Sequence, residues 1–315
     1  MQLCRVKVTG DEVGMMNFLS ESAEDDGIRQ LARTAEVVGW EEALFNYTRD
    51  RVVQGRMPLE DQRAVDWKYL LPSEGDSVVL CIGCGLGTVP TVLSETCARV
   101  YAVDTDWFKI AFLNIRKRQQ GIDNLYLIYI GDGVDFPFPD KHFDIVVLGG
   151  GQWKAKQAIQ VRGVIRLINN LLNERGSAYF SLGNLWAFQQ VLRQKTNSTG
   201  LSLHTIFGYR RMLHASGFSQ LSIFAPLPNH KGIPLFYIPF EEKQAWDYFF
   251  RFIFPLFEMA SPEVKRSYGF EYAVAKAGVR LALQFKLVGV AKFFVPGFVI
   301  IARKGGQGMG AGYAR

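Results

Sequence analysis

Five short runs, SVVLCI, RVYAV, LYLIYI, FDIVVL and SAYFSL, follow one another between Ser77 and Leu182, and longer helical patterns such as WFKIAFLNIRKRQQ and AIQVRGVIRLINNLL separate them. This alternation constrains the fold more than any other feature of the chain. The runs are β-branched and apolar on successive residues, so both faces of each strand are buried, and strands of that kind alternating with helices imply βαβ units and a parallel sheet covered on each side. A further helical pattern, TIFGYRRMLHASGF, leads into another strand, QLSIFAPL, and a last strand candidate, GFVIIARK, lies far downstream.

The flanking sequence sets the organisation. Residues 1–72 are polar at first and then helical, with apolar residues at three and four spacing in DGIRQLARTAEVV, WEEALFNYTRD and LEDQRAVDWKYLL. They predict an N-terminal helical cap, which PSEGD ends. An α/β core is expected over 73–226 and its last strand over 296–304. Between them, 227–295 is aromatic-rich, carries helical patterns and repeats none of the earlier units, so it is read as a helical insertion or lid. The glycine-rich residues 305–315 are expected to form a flexible tail.

Composition removes several classes. With 315 residues and 48% hydrophobic content the chain can bury a large core. Its net charge of +6 comes from 36 basic and 30 acidic residues that are interspersed, without the run of like charge expected of a nucleic-acid-binding arm. Cys4, Cys81, Cys84 and Cys97 are too few and too unevenly spread for a disulfide framework, which fits a reducing cytoplasm. Cys81 and Cys84 form a C-x-x-C, but no second ligand pair accompanies them, so no metal is expected. The amino terminus lacks an apolar signal region. The most apolar stretches are interrupted by Arg251 and Pro255, and by Lys292 and Pro296, before reaching the roughly 20 residues of a membrane span.

The chemistry starts at VVLCIGCGLGTVP, where Gly83, Gly85 and Gly87 follow the first strand as G-x-G-x-G. In an open parallel sheet this turn floors the ligand site, with backbone N–H groups close to the ligand. A nicotinamide-binding turn places its third glycine one residue later, where this chain has Thr88, which argues against NAD. The second strand runs into Asp104, about 20 residues past the turn, where a carboxylate can accept both hydroxyls of a ribose. Asp132, after the third strand, lies on the same edge and suits an exocyclic adenine amine. The ligand is therefore expected to be a nucleoside.

Taken in order, the glycine turn, Asp104, the pair Gly131 and Asp132, and the run FPFPDKHFDIVVL resemble the class I S-adenosylmethionine-dependent methyltransferases over roughly Val78 to Leu182. GYRRMLHASGFSQLSIFAPLP is similar to the helix, turn and sixth strand of that family. The resemblance implies a doubly wound, seven-stranded, mostly parallel Rossmann-like sheet with its last strand antiparallel. It also implies S-adenosyl-L-methionine as cofactor and S-adenosyl-L-homocysteine as product. Gly83, Gly85 and Gly87 would pass beside the methionine part, Asp104 with Thr105 would meet the ribose, and Asp132 with Gly133 the adenine. Cys81 departs from the family, which usually has an acid there to orient the ammonium group.

Methyl transfer by in-line displacement needs positioning and water exclusion more than catalytic groups, and a base only where the acceptor is protonated. His204 and His230 are the candidate bases. Gln152 and Trp153 after strand four, Asn184 after strand five, and Tyr209 and Arg210 are candidate substrate contacts. The Asn/Asp-Pro-Pro-aromatic motif of amino-directed nucleic-acid methyltransferases is absent, LGGGQW standing in its place, which lowers that reading. The expected acceptor is a small molecule, bulky and apolar or amphipathic. An RNA methyltransferase and a nonenzymatic S-adenosylmethionine-binding or S-adenosylhomocysteine-binding protein are the alternatives. The aromatics and spaced cations of 241–295 could line a pocket, pack a homodimer or lie on a membrane surface.

Overall fold

The computed structural model describes residues 23–53, 62–72, 75–131, 136–149, 161–187, 202–228, 233–259 and 262–305. One sheet organises them. Its strands are β1 (Val78–Ile82), β2 (Arg99–Asp104), β3 (Leu125–Tyr129), β4 (Phe143–Leu148), β5 (Leu172–Gly183), β6 (Phe218–Leu227), β7 (Phe236–Pro239) and β8 (Gly297–Lys304). The spatial order is β3-β2-β1-β4-β5-β8-β6-β7. β1 to β5 pair in parallel. β8 then runs antiparallel between β5 and β6.

The α/β architecture is therefore the expected one, but the sheet is eight-stranded and mixed where seven mostly parallel strands were expected. The additional strand, β7, pairs antiparallel with β6 at the sheet's edge. It lies inside the segment read as a helical insertion. Four residues, the last of them Pro239, give no periodicity to detect, and the proline is tolerated because an edge strand need not donate outward.

Along β1 the side chains alternate between two apolar layers: Leu80 and Ile82 enter one, Val79 and Cys81 the other. Helices cover both. α1 (Ala23–Val38) and α2 (Trp40–Val53) precede the sheet, and α3 (Thr88–Ser94), α4 (Trp107–Gln120) and α5 (Val161–Leu171) connect its parallel strands. α6 (Ile206–Ala215) leads into β6. α1 and α2 seat Leu31, Ala35 and Leu44 against Phe112 and Ile115 of α4, with Leu86 of the glycine turn joining that cluster. Arg116 extends the contact by lying 4.2 Å over the Trp40 ring.

Between β7 and β8 come α7 (Lys243–Tyr248), a π and a 3-10 turn, α8 (Pro262–Gln284) and α9 (Val288–Ala291). These helices belong to the main core. Trp246, Phe249, Phe250, Val279 and Val288 are buried in the same cluster as Phe180 of β5 and Phe298 and Ile300 of β8. The indole of Trp246 donates to the Phe240 carbonyl at 3.2 Å, so its polar edge is satisfied where its rings are enclosed.

Candidate functional site

The turn after β1 is fixed by backbone. The N–H groups of Gly83 and Cys84 both donate to the Val103 carbonyl of β2, at 2.9 and 3.2 Å. Gly85 and Gly87 hold φ values of 57° and 97°, left-handed conformations that side chains disfavour. Gly87 has a second reason to be glycine: a Cβ there would stand 2.3 Å from Cδ1 of the fully buried Leu113. The turn thus presents main chain at the carboxyl edge of the sheet.

Asp104 ends β2 with its side chain wholly buried. Its Oδ2 accepts the Gly85 N–H at 3.0 Å and its Oδ1 the Asp106 N–H at 3.0 Å. Burial raises its pKa above the ordinary carboxylate range, and the Lys109 charge and the two N–H donors oppose that rise. Oδ2 also takes the Cys84 thiol at 3.9 Å, so with two acceptor positions on each oxygen it is Oδ1 that retains capacity for a hydroxyl. The next residues continue the arrangement: Thr105 is buried, and Asp106 caps α4 by accepting from Phe108 N at 2.9 Å. A glycine-rich turn hydrogen-bonded to an acid that keeps a spare acceptor position on Oδ1 fits an adenosyl group with its ribose. Gly83, Gly85, Gly87, Asp104 and Thr105 would hold it. Asp132 and Gly133 lie outside the described residues.

Cys81 is a core residue here. It pairs in register with Ala102 and Val147 and packs in the apolar layer that includes Val79, Cys97 and Tyr179. Burial, reinforced by nearby Cys97, pushes its thiol far up, so it stays protonated and brings no charge to the site.

On the acceptor side, two of the sequence candidates are occupied with holding the fold. Asn184 is buried at the end of β5, and its amide donates to the carbonyls of Phe293 at 2.7 Å and Val295 at 2.8 Å. Its Oδ1 accepts the Trp186 N–H at 3.1 Å. Both donors are spent, so the side chain ties β5 to the turn before β8 and does not face an acceptor. Tyr209 is likewise buried, donating to Gly183 O at 2.9 Å and accepting from His204 N at 3.2 Å. Burial pushes its phenol up to about 12.

Arg210 turns to the insertion, where it pairs with Glu241 and lies 5.9 Å over the Phe240 ring. Its successor points elsewhere, because one residue on a helix is a rotation of about 100°. Arg211 lines a pocket of about 360 Å³ with Arg162, Ser202, His204, Gly208 and Met212. Among the described residues, His204 is thus a candidate that lines a cavity. Burial lowers its pKa below the usual imidazole value, and one ring nitrogen, Nε2, lies 3.2 Å from Ser202 Oγ.

Beside this pocket runs an aromatic row that the sequence reading did not single out. Trp186, just past β5, meets Phe207 of α6 edge-on at 6.2 Å, and Phe207 stacks on Phe293 at 5.4 Å. The contributing residues are 186, 207 and 293, with no common spacing that a one-dimensional reading could find. Gln152, Trp153 and His230 lie outside the described residues.

Comparison with known proteins bears on the domain and its fold. Residues 80–180 match a family described as methyltransferase domain. Phosphoethanolamine N-methyltransferase 2 of Haemonchus contortus, solved with phosphomonomethylethanolamine and S-adenosylhomocysteine, has a TM-score of 0.51 to this chain at 13% identity, covering 89% of this chain and 60% of that one. The same enzyme has been solved with S-adenosyl-L-methionine. The chain therefore spans less than two thirds of that enzyme. A chain from the Haloferax volcanii complex containing the Trm112 methyltransferase activator has a TM-score of 0.50 at 14% identity, covering 88% of this chain and 97% of that one. At these identities the likeness is one of fold. No curated protein sequence matches the chain.

Proposed function

We propose that this chain, whose core is an S-adenosylmethionine-dependent methyltransferase domain, methylates a small amphipathic acceptor at the carboxyl ends of β4 and β5. The observation that supports this acceptor is the Trp186, Phe207 and Phe293 row together with a pocket lined by Val161 and Met212 as well as by the polar groups of His204, Ser202, Arg162 and Arg211. α6 contributes to both, Phe207 to the row and Gly208, Arg211 and Met212 to the pocket. An acceptor with a flat or aliphatic body would lie along the row and present a polar head to the pocket.

S-adenosylmethionine supplies an activated methyl group together with its own leaving group. The chain's residues have positioning tasks. Asp104 would fix the ribose through the free acceptor position on its Oδ1, and the backbone of Gly83 to Gly87 would pass beside the amino-acid portion. Asp132 and Gly133 would meet the adenine, as the family resemblance implies. His204, kept neutral by burial, would accept the proton of a hydroxyl acceptor. Arg162 and Arg211 would attract an anionic substituent.

Calorimetric titration with S-adenosylmethionine and S-adenosylhomocysteine tests the cofactor half of the reading. Both should bind, and Asp104→Ala should weaken binding by about 2 kcal/mol, one charge-assisted hydrogen bond. That is roughly thirtyfold in Kd. Asp104→Asn, which keeps the shape and one acceptor, should fall between. Folded wild-type protein that binds neither compound would overturn the assignment. An acceptor screen read by product mass then tests the second half.

A further inference from the structure

The helices before β8 are buried on one side and unusually apolar on the other. Tyr248, Phe252 and Leu256 recur at every fourth position across α7 and the turns that follow it. Leu281 and Phe285 continue such a row at the end of α8, and Leu287, Val290 and Phe294 carry it through α9. All of these side chains are between 47% and 61% exposed. Single exposed apolar residues are ordinary, but rows of them on adjoining helices mark an interaction surface.

Charge says what kind of surface it meets. From 272 to 295 the chain has four cations, Lys276, Arg280, Lys286 and Lys292, and no acidic residue, against a net charge of +6 for the whole chain. Lys292 is held inward by the Phe240 carbonyl at 2.9 Å, whereas Arg280 and Lys286 are exposed beside Leu281, Phe285 and Leu287. Lys286 also sits at a φ of 57°, just past the end of α8. Helices commonly end there on a left-handed glycine, and a lysine in its place is strained. Favourable interaction of a cation with the helix C-terminus accounts for part of the charge. It does not account for the phenyl and isobutyl groups of Phe285 and Leu287 facing water on either side.

We propose that this face docks on the surface of an anionic phospholipid bilayer. Apolar side chains would enter the headgroup boundary while Arg280 and Lys286 meet lipid phosphates, the arrangement of an interfacial helix surface. Among the described residues no helix is long and apolar enough to cross a membrane, so the contact is peripheral. The inference rests on residues 248–256 and 280–294 and stands or falls separately from the acceptor reading.

Flotation of the full-length protein with vesicles tests it. The protein should float with phosphatidylcholine vesicles containing phosphatidylglycerol, float much less with phosphatidylcholine alone, and release as salt is raised. Lys286→Gly relieves the backbone strain while removing one cation, so it should melt no lower than wild type yet bind anionic vesicles about fivefold more weakly. Phe285→Ser with Leu287→Ser should weaken binding further and leave S-adenosylhomocysteine titration unchanged. Failure to float with either vesicle, or equal binding of wild type and Lys286→Gly, would overturn the proposal. So would a dimer by light scattering that the Phe285→Ser, Leu287→Ser protein loses, because the face would then belong to a second copy of the chain.

Discussion

At the scale of single residues, the site depends on positions where a missing or neutral side chain is the functional feature. Gly87 combines a left-handed backbone with a Cβ position already filled by Leu113. Leu113 is itself enclosed and cannot move aside cheaply. Gly87→Ala should therefore cost about 1–2 kcal/mol for the backbone and about 1–3 kcal/mol for overpacking. Chemical denaturation reads this as a lower midpoint at unchanged slope. His204 is the titratable counterpart. Burial disfavours its charged form, so its folded pKa lies below the usual value of about 6.5. The neutral imidazole therefore predominates at pH 7 and is lost as pH falls through that lowered value. With His204 as the base, kcat/KM should hold level around neutrality and decline on the acid side with a midpoint below 6.5. His204→Ala should remove that limb and slow transfer by roughly 10²–10⁴-fold. A variant with an unaltered pH profile would make His204 a wall of the pocket and no more.

At the scale of elements, the difference between what was legible in the sequence and what was not follows the range of the interactions. The parallel strands were legible because each is a local run of residues buried on both faces, and the turn with Asp104 because its parts lie within one βαβ unit. β7 was not, since four residues ending in Pro239 carry no period and its partner is set by an edge that only the folded sheet creates. Asn184 was placed correctly after strand five, but its use was hidden. The carbonyls that consume its donors belong to Phe293 and Val295, more than a hundred residues away. The choice of Arg210 over Arg211 shows the same limit at finer grain. The sequence marks a basic step on a helix, and only the helix's rotational setting against Phe240 and Glu241 decides which arginine is left to line the pocket. Cys81 was legible as a departure from the family, while its explanation, a place in an apolar layer with Val79, Cys97 and Tyr179, needed the packing of the opposite sheet face.

At the scale of the whole molecule, the segment between β7 and β8 is both part of the core and an exposed surface, and this bears on how the protein unfolds. A detachable lid would bury little against the sheet and open at small cost. Here Trp246 is among the largest fully buried side chains, enclosed in one cluster with strands from the centre of the sheet. Removing it leaves a cavity between the insertion and the sheet, so Trp246→Ala should cost about 3–5 kcal/mol and lower Tm by roughly ten degrees. The discriminating measurement is whether one transition or two accompanies the loss. If the insertion and the sheet form one cooperative unit, far-ultraviolet and near-ultraviolet circular dichroism should melt together in wild type and variant alike. Native-state exchange should show the amides around Trp246 and those of β8 opening at the same free energy. A separate early transition confined to 243–294 would instead make the segment an independently opening lid. In that case each opening would part Phe293 from the Asn184 amide and the Phe207 ring, and so disturb the β5 end of the site.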